Sequence, residues 1–480
     1  MPGLESDVLA LFPEPPRKTP RPFFHLWATW LSSVVVAALV GYLFVLSSGD
    51  PLDHLHWPED SLERLASRDM EVRAAVARTS PWERRLYGFL LGDDESTDDW
   101  IGWHEELAQE SSSPDVELDR LILLGEAGRS TAVREGVDEW EPDDETAAKR
   151  KEWISAAYLA PSLSRATART MIGEVRDELP VSWFADTLVA RLASRSGDVL
   201  TRQQAEAGIN GRGAVLLDHW RALEATGFLL AAAGLVSLGV LLRSPDPRIA
   251  HAELLSGLSL SDGYALFIRG ALGFLVLGTG LGLLIPEDSA VDSITGVATV
   301  APILLYTLWY VKDRGLSFGQ AFGLAPGPRG WGRIALVAFA LIGLQLTGEA
   351  LIGFVLDAFH LTSHWADGLQ ENLIWGSWGL VARETVDSVI WAPLGEEVAF
   401  RGVLYPALRS RFGVAPATAV SAAVFALAHG YGVLGFVAVF WSGALWAFAY
   451  ERTGSLWPGI IAHSAGNAMA TVGVIALLRL

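Results

Sequence analysis

Three short stretches near the C-terminal end place polar side chains inside otherwise apolar sequence. APLGEEVAFRGVLYPALRSR (residues 392–411) holds Glu396, Glu397 and Arg401 among Leu394, Val398, Phe400, Val403 and Leu404. FALAHG sets Phe425 and His429 one helical turn apart, and HSAGN does the same for His463 and Asn467. A lone charge at the centre of a bilayer costs between about 2.5 and more than 10 kcal/mol, so such residues persist where they have a partner or a task. Glu397 and Arg401 stand at i and i+4 and pair on one helix face, an architectural role. Glu396 points about 100° away from Glu397 and is free to face elsewhere.

One free carboxylate, two imidazoles and one amide on three helices suffice for peptide hydrolysis. A carboxylate shielded from bulk water is a competent base for a water molecule near neutral pH. One imidazole can share that water or help to bind a metal. The other, with the Asn amide, can donate to the oxyanion of a tetrahedral intermediate. No Ser or Cys nucleophile occupies an equivalent setting, so direct attack by activated water is the economical chemistry. Taken singly, each piece has a plainer reading: an intramembrane His bonded to a carbonyl, or a His–Asn pair gluing helices together for about 0.6 kcal/mol. Three polar helix faces within one stretch of sequence shift the balance. Glu349 and Glu384, also in or beside apolar runs, read as packing or pore-edge residues.

The elements that must position this set are membrane helices. The chain has 480 residues, is 51% hydrophobic and contains no Cys, so disulfides and thiolate metal sites are excluded and any zinc must be held by His and carboxylates. Residues 1–22 are Pro-rich and read as an unfolded cytoplasmic tail. Residues 23–46 form an apolar anchor long enough to span about 30 Å. Arg17, Lys18 and Arg21 precede it, which puts the N-terminus inside. A cleaved signal peptide would carry a shorter apolar region.

Residues 47–221 are a different material. From Asp50 to Trp220 there are 35 acidic and 19 basic residues, a net of −16 out of −19 for the chain. A block of this sign argues against nucleic acid as a partner. LERLASRDMEVRAAVAR (62–78) and VSWFADTLVARLASR (181–195) carry helical periodicity, which predicts a small soluble helical domain, against a disordered acidic spacer. Apolar runs resume at 222–242, 264–285, 294–311, 334–356, about 386–408, 413–430, 433–450 and 456–478. Gly278, Gly280 and Gly282 within them suit close helix packing. The expected architecture is an all-α, polytopic membrane protein of about nine spans with an inserted acidic domain. Residues 222–329 supply additional membrane helices and 330–480 the membrane core.

In this core the sequence resembles the type II CAAX prenyl endopeptidases and their bacterial relatives, the CAAX-protease and bacteriocin-processing (CPBP, Abi) membrane proteases. Their signature of EExxxR, FxxxH and HxxxN is present in order in GEEVAFRG, FALAHG and HSAGN, and AYERTGSLWPGIIAHSAGN follows the family's phrasing. The resemblance covers roughly 330–480 and implies a helical intramembrane protease. By analogy, Glu396 and His429 activate water and His463 and Asn467 stabilise the oxyanion, while Glu397, Arg401 and Phe425 are structural. It leaves open whether His429, His463 and Glu396 hold zinc, because their spacing is unlike an HExxH helix. It also does not carry over a prenylated substrate.

The expected activity is therefore cleavage of membrane-associated or lipid-anchored peptide substrates by an integral protein, with a bacterial inner or plasma membrane as its expected location. A protein partner for 47–221 is a further expectation. Two other classes compete: a catalytically silent scaffold or immunity protein, which has no need of all four polar residues, and an ion-coupled transporter, for which paired broken segments are missing.

Overall fold

The computed structural model describes residues 24–47, 52, 55–91, 95–243, 248–285, 295–326, 330–359, 361 and 364–480. Among these residues every regular element is helical and no strand occurs. The expected tail, 1–22, lies outside the described residues.

The acidic segment folds. Eight helices, from Pro58–Val76 to Trp183–Ser196, surround a core of Leu118, Leu121, Ile122, Trp153, Val175, Phe184 and Leu188, all essentially inaccessible. Burying each such side chain contributes about 1.5–3 kcal/mol, which a disordered spacer of this composition would forgo. Local signals start the helices: Asp144, Ser164, Ser182 and Asp198 each accept a hydrogen bond from the backbone N–H three residues on.

The expected boundary at 221/222 falls inside one uninterrupted helix, Val199–Leu242, of 44 residues. At 1.5 Å per residue it is roughly 66 Å long. Its first part packs on the soluble helices and its last part enters the membrane region, so the domain and the bundle share an element. There it crosses Gly330–Ala358 at a glycine pair: a Cβ on Gly234 would collide with the Phe339 carbonyl oxygen, and one on Gly343 would stand 2.7 Å from Gly234 Cα. Only glycine permits this approach.

Five described helices are long and apolar enough to cross a bilayer: Val199–Leu242, Leu260–Leu284, Gly330–Leu356, Val433–Thr453 and Trp457–Arg479. Leu26–Tyr42 and Val414–Leu427 are shorter apolar helices, and Thr295–Asp313 carries Pro302 in its interior. The molecule is an all-α polytopic membrane protein. The apolar run at 386–408 is not a single regular span. It alternates between α-helix (Trp378–Val386, Ala392–Glu396, Tyr405–Phe412) and π-helix (Asp387–Trp391, Glu397–Leu404).

The glycine expectation is corrected. A Cβ added to Gly280 or Gly282 would meet no described atom within 4 Å, and one on Gly278 would meet only Thr299, at 3.8 Å. The close contacts of that helix lie earlier, where Cβ atoms on Gly270 and Gly273 would strike Ile303 and Pro302. An apolar run shows that glycines are in a helix but not which face meets a neighbour.

Candidate active site

Glu396 ends the short α-helix Ala392–Glu396 and Glu397 opens the π-helix Glu397–Leu404. π-helical turns close i to i+5 bonds and recur at functional sites. Glu397 Oε1 accepts from Arg401 Nη1 at 2.9 Å, with both side chains 1% exposed. The other two guanidinium nitrogens, Nε and Nη2, have no hydrogen-bond partner among the described residues. The guanidinium carbon instead lies 4.0 Å from the Phe425 ring centroid, 4.9 Å from Trp446 and 5.9 Å from Phe400. An aromatic cage of this kind stabilises a desolvated cation by about 2 kcal/mol or more at each good face. Phe425 is thus the floor on which the arginine rests.

Glu396, the residue just before the π-helix, lies beside this cage. Its Oε2 is buried and has no hydrogen-bond partner among the described residues, yet two imidazole Nε2 atoms face it, His463 at 3.7 Å and His429 at 4.0 Å. His429 follows the helix Val414–Leu427, and its Nδ1 lies 2.8 Å from the Phe425 carbonyl oxygen. A carbonyl only accepts, so Nδ1 carries the proton and Nε2 presents a lone pair. His463 stacks on Trp446 with ring centroids 4.3 Å apart, and its Nδ1 lies 3.3 Å from Glu397 Oε1. Glu397 therefore serves both Arg401 and His463, which ties the structural pair to the site.

Asn467 lies one turn beyond His463 but donates its amide to the Ser388 carbonyl at 2.7 Å, bracing the other π-helix. Glu349 accepts from Ser442 at 3.1 Å, and Glu384 accepts from Arg383 at 2.8 Å. The structure brings Glu396, His429 and His463 together and sets Asn467 at the margin. Sequence reasoning did not find Trp446, Ser388 or the second contact of Glu397. Trp446 carried no signal, being one of 19 tryptophans in the chain.

The soluble domain lies at the end of the bundle where His429 sits. Tyr431 has its ring 5.5 Å from that of His429, and a Cβ on Gly368 would stand 3.2 Å from Tyr431. The connector containing Gly368 is held by the domain. His364 Nε2 lies 3.2 Å from Glu106, and Glu371 accepts from the backbone N–H groups of His56 and Trp57 and from Ser61 Oγ at 2.7, 3.1 and 2.8 Å.

No curated protein and no solved structure matches the chain. A family model, type II CAAX prenyl endopeptidase Rce1-like, matches residues 374–469. That interval contains Glu396, Glu397, Arg401, Phe425, His429, His463 and Asn467, and leaves the anchor, the acidic domain and the helices up to 358 outside it. The three elements that converge on Glu396 thus lie within the stretch, residues 374–469, that is similar to the Rce1-like type II CAAX prenyl endopeptidases.

Proposed function

We propose that the protein is an intramembrane endopeptidase in which Glu396 activates a water for attack on the peptide bond of a membrane-associated or lipid-anchored substrate. The observation that carries this reading is the buried Glu396 Oε2 facing two imidazole Nε2 atoms at 3.7 and 4.0 Å. Two hydrogen bonds of about 2.8 Å meeting at about 90° span the 4.0 Å between Glu396 and His429, so one water fits between them, donating to both. Glu396 takes its proton as the oxygen attacks the carbonyl carbon, and the protonated acid later returns it to the leaving amine.

His463 supplies the oxyanion contact. It lies between Glu397 and Glu396, with Nδ1 on the first and Nε2 turned to the second. Its Nε2–H is then the donor for the developing negative charge. Asn467 joins it when its amide leaves the Ser388 carbonyl, a rotation within one side chain.

Zinc on His429, His463 and Glu396 is the metal form of this reading. The donor types suit it, but separations of 3.7 and 4.0 Å exceed the roughly 3.3 Å edge of a zinc tetrahedron, and among the described residues no three such side chains are grouped closely enough to hold an ion. The steps assigned to Glu396 and His463 are therefore routed through water and protons alone.

The experiment is cleavage of a membrane-tethered peptide by the purified protein in liposomes. Glu396→Gln keeps the size and removes the base, so turnover is expected to fall by at least about 100-fold with the fold retained. Full activity in that variant, or no cleavage by the wild type of any tethered peptide in a broad library, would sink the reading in favour of a silent scaffold.

A further inference from the structure

A second constellation of ionisable groups lies in the soluble domain, away from Glu396. A cleft of about 100 Å³ is lined by Glu59, Asp60 and Glu63 on the helix Pro58–Val76, His104 on Glu95–Glu110, and Asp115 and Asp119 on Pro114–Glu126. Asp60 and Asp115 stand at its rim; Asp119 and His104, 6% and 1% exposed, form its floor. The floor groups have unused capacity. Asp119 makes no hydrogen bond or ion pair with any described residue, and Glu63 Oε1 and His104 Nε2 are buried without a partner. His104 Nδ1 is taken by the Trp100 carbonyl at 2.7 Å, which leaves Nε2 as an acceptor. Burial, with Glu63 and Asp115 nearby, pushes the Asp119 carboxyl well above the usual range. Burial likewise raises Glu63 and holds His104 down at about 4.

The cations near this cleft already have partners, one of them Asp115 at its rim. Arg150 donates to Asp115 at 2.7 Å and to Glu178 at 2.8 Å and lies over Trp153; Arg64 lies 4.8 Å over Trp375 and reaches the Leu478 carbonyl; Arg120 is bidentate to Glu117. The floor of the cleft thus keeps hydrogen-bonding capacity that no described residue uses. Partnerless polar groups in a partly dry cleft are costly, and a bound donor with positive charge, which favours the carboxylate form of its neighbours, offsets that cost. No three of these side chains are close enough together to ligate a bare metal ion, so the complement is a group that carries its own donors.

We propose that the cleft binds an alkylguanidinium or alkylammonium group, the end of an Arg or Lys side chain of a polypeptide. Its volume admits one such group and a water or two. Its place supports a polypeptide source: the helix that supplies Glu59, Asp60 and Glu63 is gripped at its start by Glu371, on the connector leading to the Glu396 segment. A chain approaching the membrane site from this side passes the acidic cleft.

The test is titration calorimetry on the purified full chain in detergent, with N-acetyl-arginine amide as the probe and N-acetyl-norleucine amide and calcium chloride as comparisons. The expected result is one saturable site for the arginine compound and none for norleucine. Asp119→Asn and Glu63→Gln should each weaken binding at least tenfold while leaving peptide cleavage by the membrane site intact. Asp119→Asn replaces a buried carboxyl that no described residue bonds with a neutral amide of the same shape and is expected to melt no lower than wild type; should it fail to fold, Glu63→Gln carries the comparison. No saturable heat up to about 50 mM, well past the millimolar range of weak single-group binding, overturns the proposal. So does equal affinity in the folded variants, or calcium binding at the same residues without arginine binding.

Discussion

His463 Nδ1 lies 3.3 Å from Glu397 Oε1, the same oxygen that accepts from Arg401 Nη1 at 2.9 Å. One carboxylate oxygen thus holds the arginine in its aromatic cage and fixes the imidazole that faces Glu396. Removing Glu397 strands a buried guanidinium and frees the ring together. Glu397→Gln is expected to destabilise the protein by about 3–5 kcal/mol, read as a lower melting temperature in detergent. The double variant Glu397→Gln, Arg401→Met should recover much of that stability but little activity, because His463 still lacks its anchor. Recovery of both would show that Glu397 serves packing alone.

Glu397 Oε2 sits against the backbone of Gly459, where an added Cβ would stand 2.8 Å away. Gly459→Ala should push the carboxylate off His463 and cut turnover by more than tenfold. Gly473, on the same helix with nothing within 4 Å, is the control. Ala there should stabilise by about 0.5–1 kcal/mol through helix propensity. Equal behaviour of the two variants would exclude steric coupling at Gly459.

The sequence pattern made part of this site legible and concealed the rest for physical reasons. Ionisable residues in apolar runs are conspicuous, so Glu396, Arg401, His429 and His463 stood out. Arg269 is equally anomalous inside the run 264–285, but beside the local Ala265 carbonyl its side-chain partners, the Thr29 hydroxyl at 3.0 Å and the Phe24 ring at 4.3 Å, lie some 240 residues earlier on the anchor, beyond any local spacing rule. The π-turns at 387–391 and 397–404 were hidden too, because i,i+4 pairing of Glu397 and Arg401 is compatible with either helix type. The helical periodicity of 62–78 and 181–195 did find its elements, Pro58–Val76 and Trp183–Ser196, because amphipathic faces on a soluble core leave a local signature.

Metal dependence is settled by exhaustive chelation followed by elemental analysis and an activity assay. The water-based steps require activity to survive with no stoichiometric zinc. Abolished activity restored by zinc would mean that Glu396, His429 and His463 close up by about half an ångström to ligate it.

Glu371 holds the soluble domain to the connector through three hydrogen bonds, two of them from backbone N–H groups. Glu371→Ala removes a charged acceptor from a buried helix start, a loss of about 1.5–3 kcal/mol per bond at most. Faster amide hydrogen exchange across residues 55–62 is expected, without a change in the membrane helices. Unchanged exchange there would show that the apolar contact of Leu52 and Leu62 with Ala366 holds the two parts together unaided.

The final prediction concerns orientation. With the N-terminus inside, the anchor sends the acidic domain outside and the helix Val199–Leu242 returns the chain. Alternation then places KDRG (312–315), RSR (409–411) and ER (451–452) inside, and every one of these segments is basic or carries an Arg. The fold agrees on pairing: Arg409 and Glu451 are bidentate partners at 2.5 and 2.7 Å, so their two loops share one end of the bundle. The opposite end carries Arg479, bonded to the Leu373 and Ile374 carbonyls, and His219, 2.9 Å from the Ala476 carbonyl, beside the soluble domain. Glu396 lies 13 residues from Arg409, at most about 20 Å along a segment whose π-turns rise less per residue than an α-helix, which sets it away from the Arg409 end. Because the chain has no native Cys, single cysteines report topology without background. Ser112→Cys and Ser317→Cys are both at exposed positions. An impermeant thiol reagent applied to intact cells should label the first and spare the second until the membrane is permeabilised. Labelling of position 317 but not 112 would invert the topology and place the acidic domain, with the end of the bundle where His429 sits, in the cytoplasm.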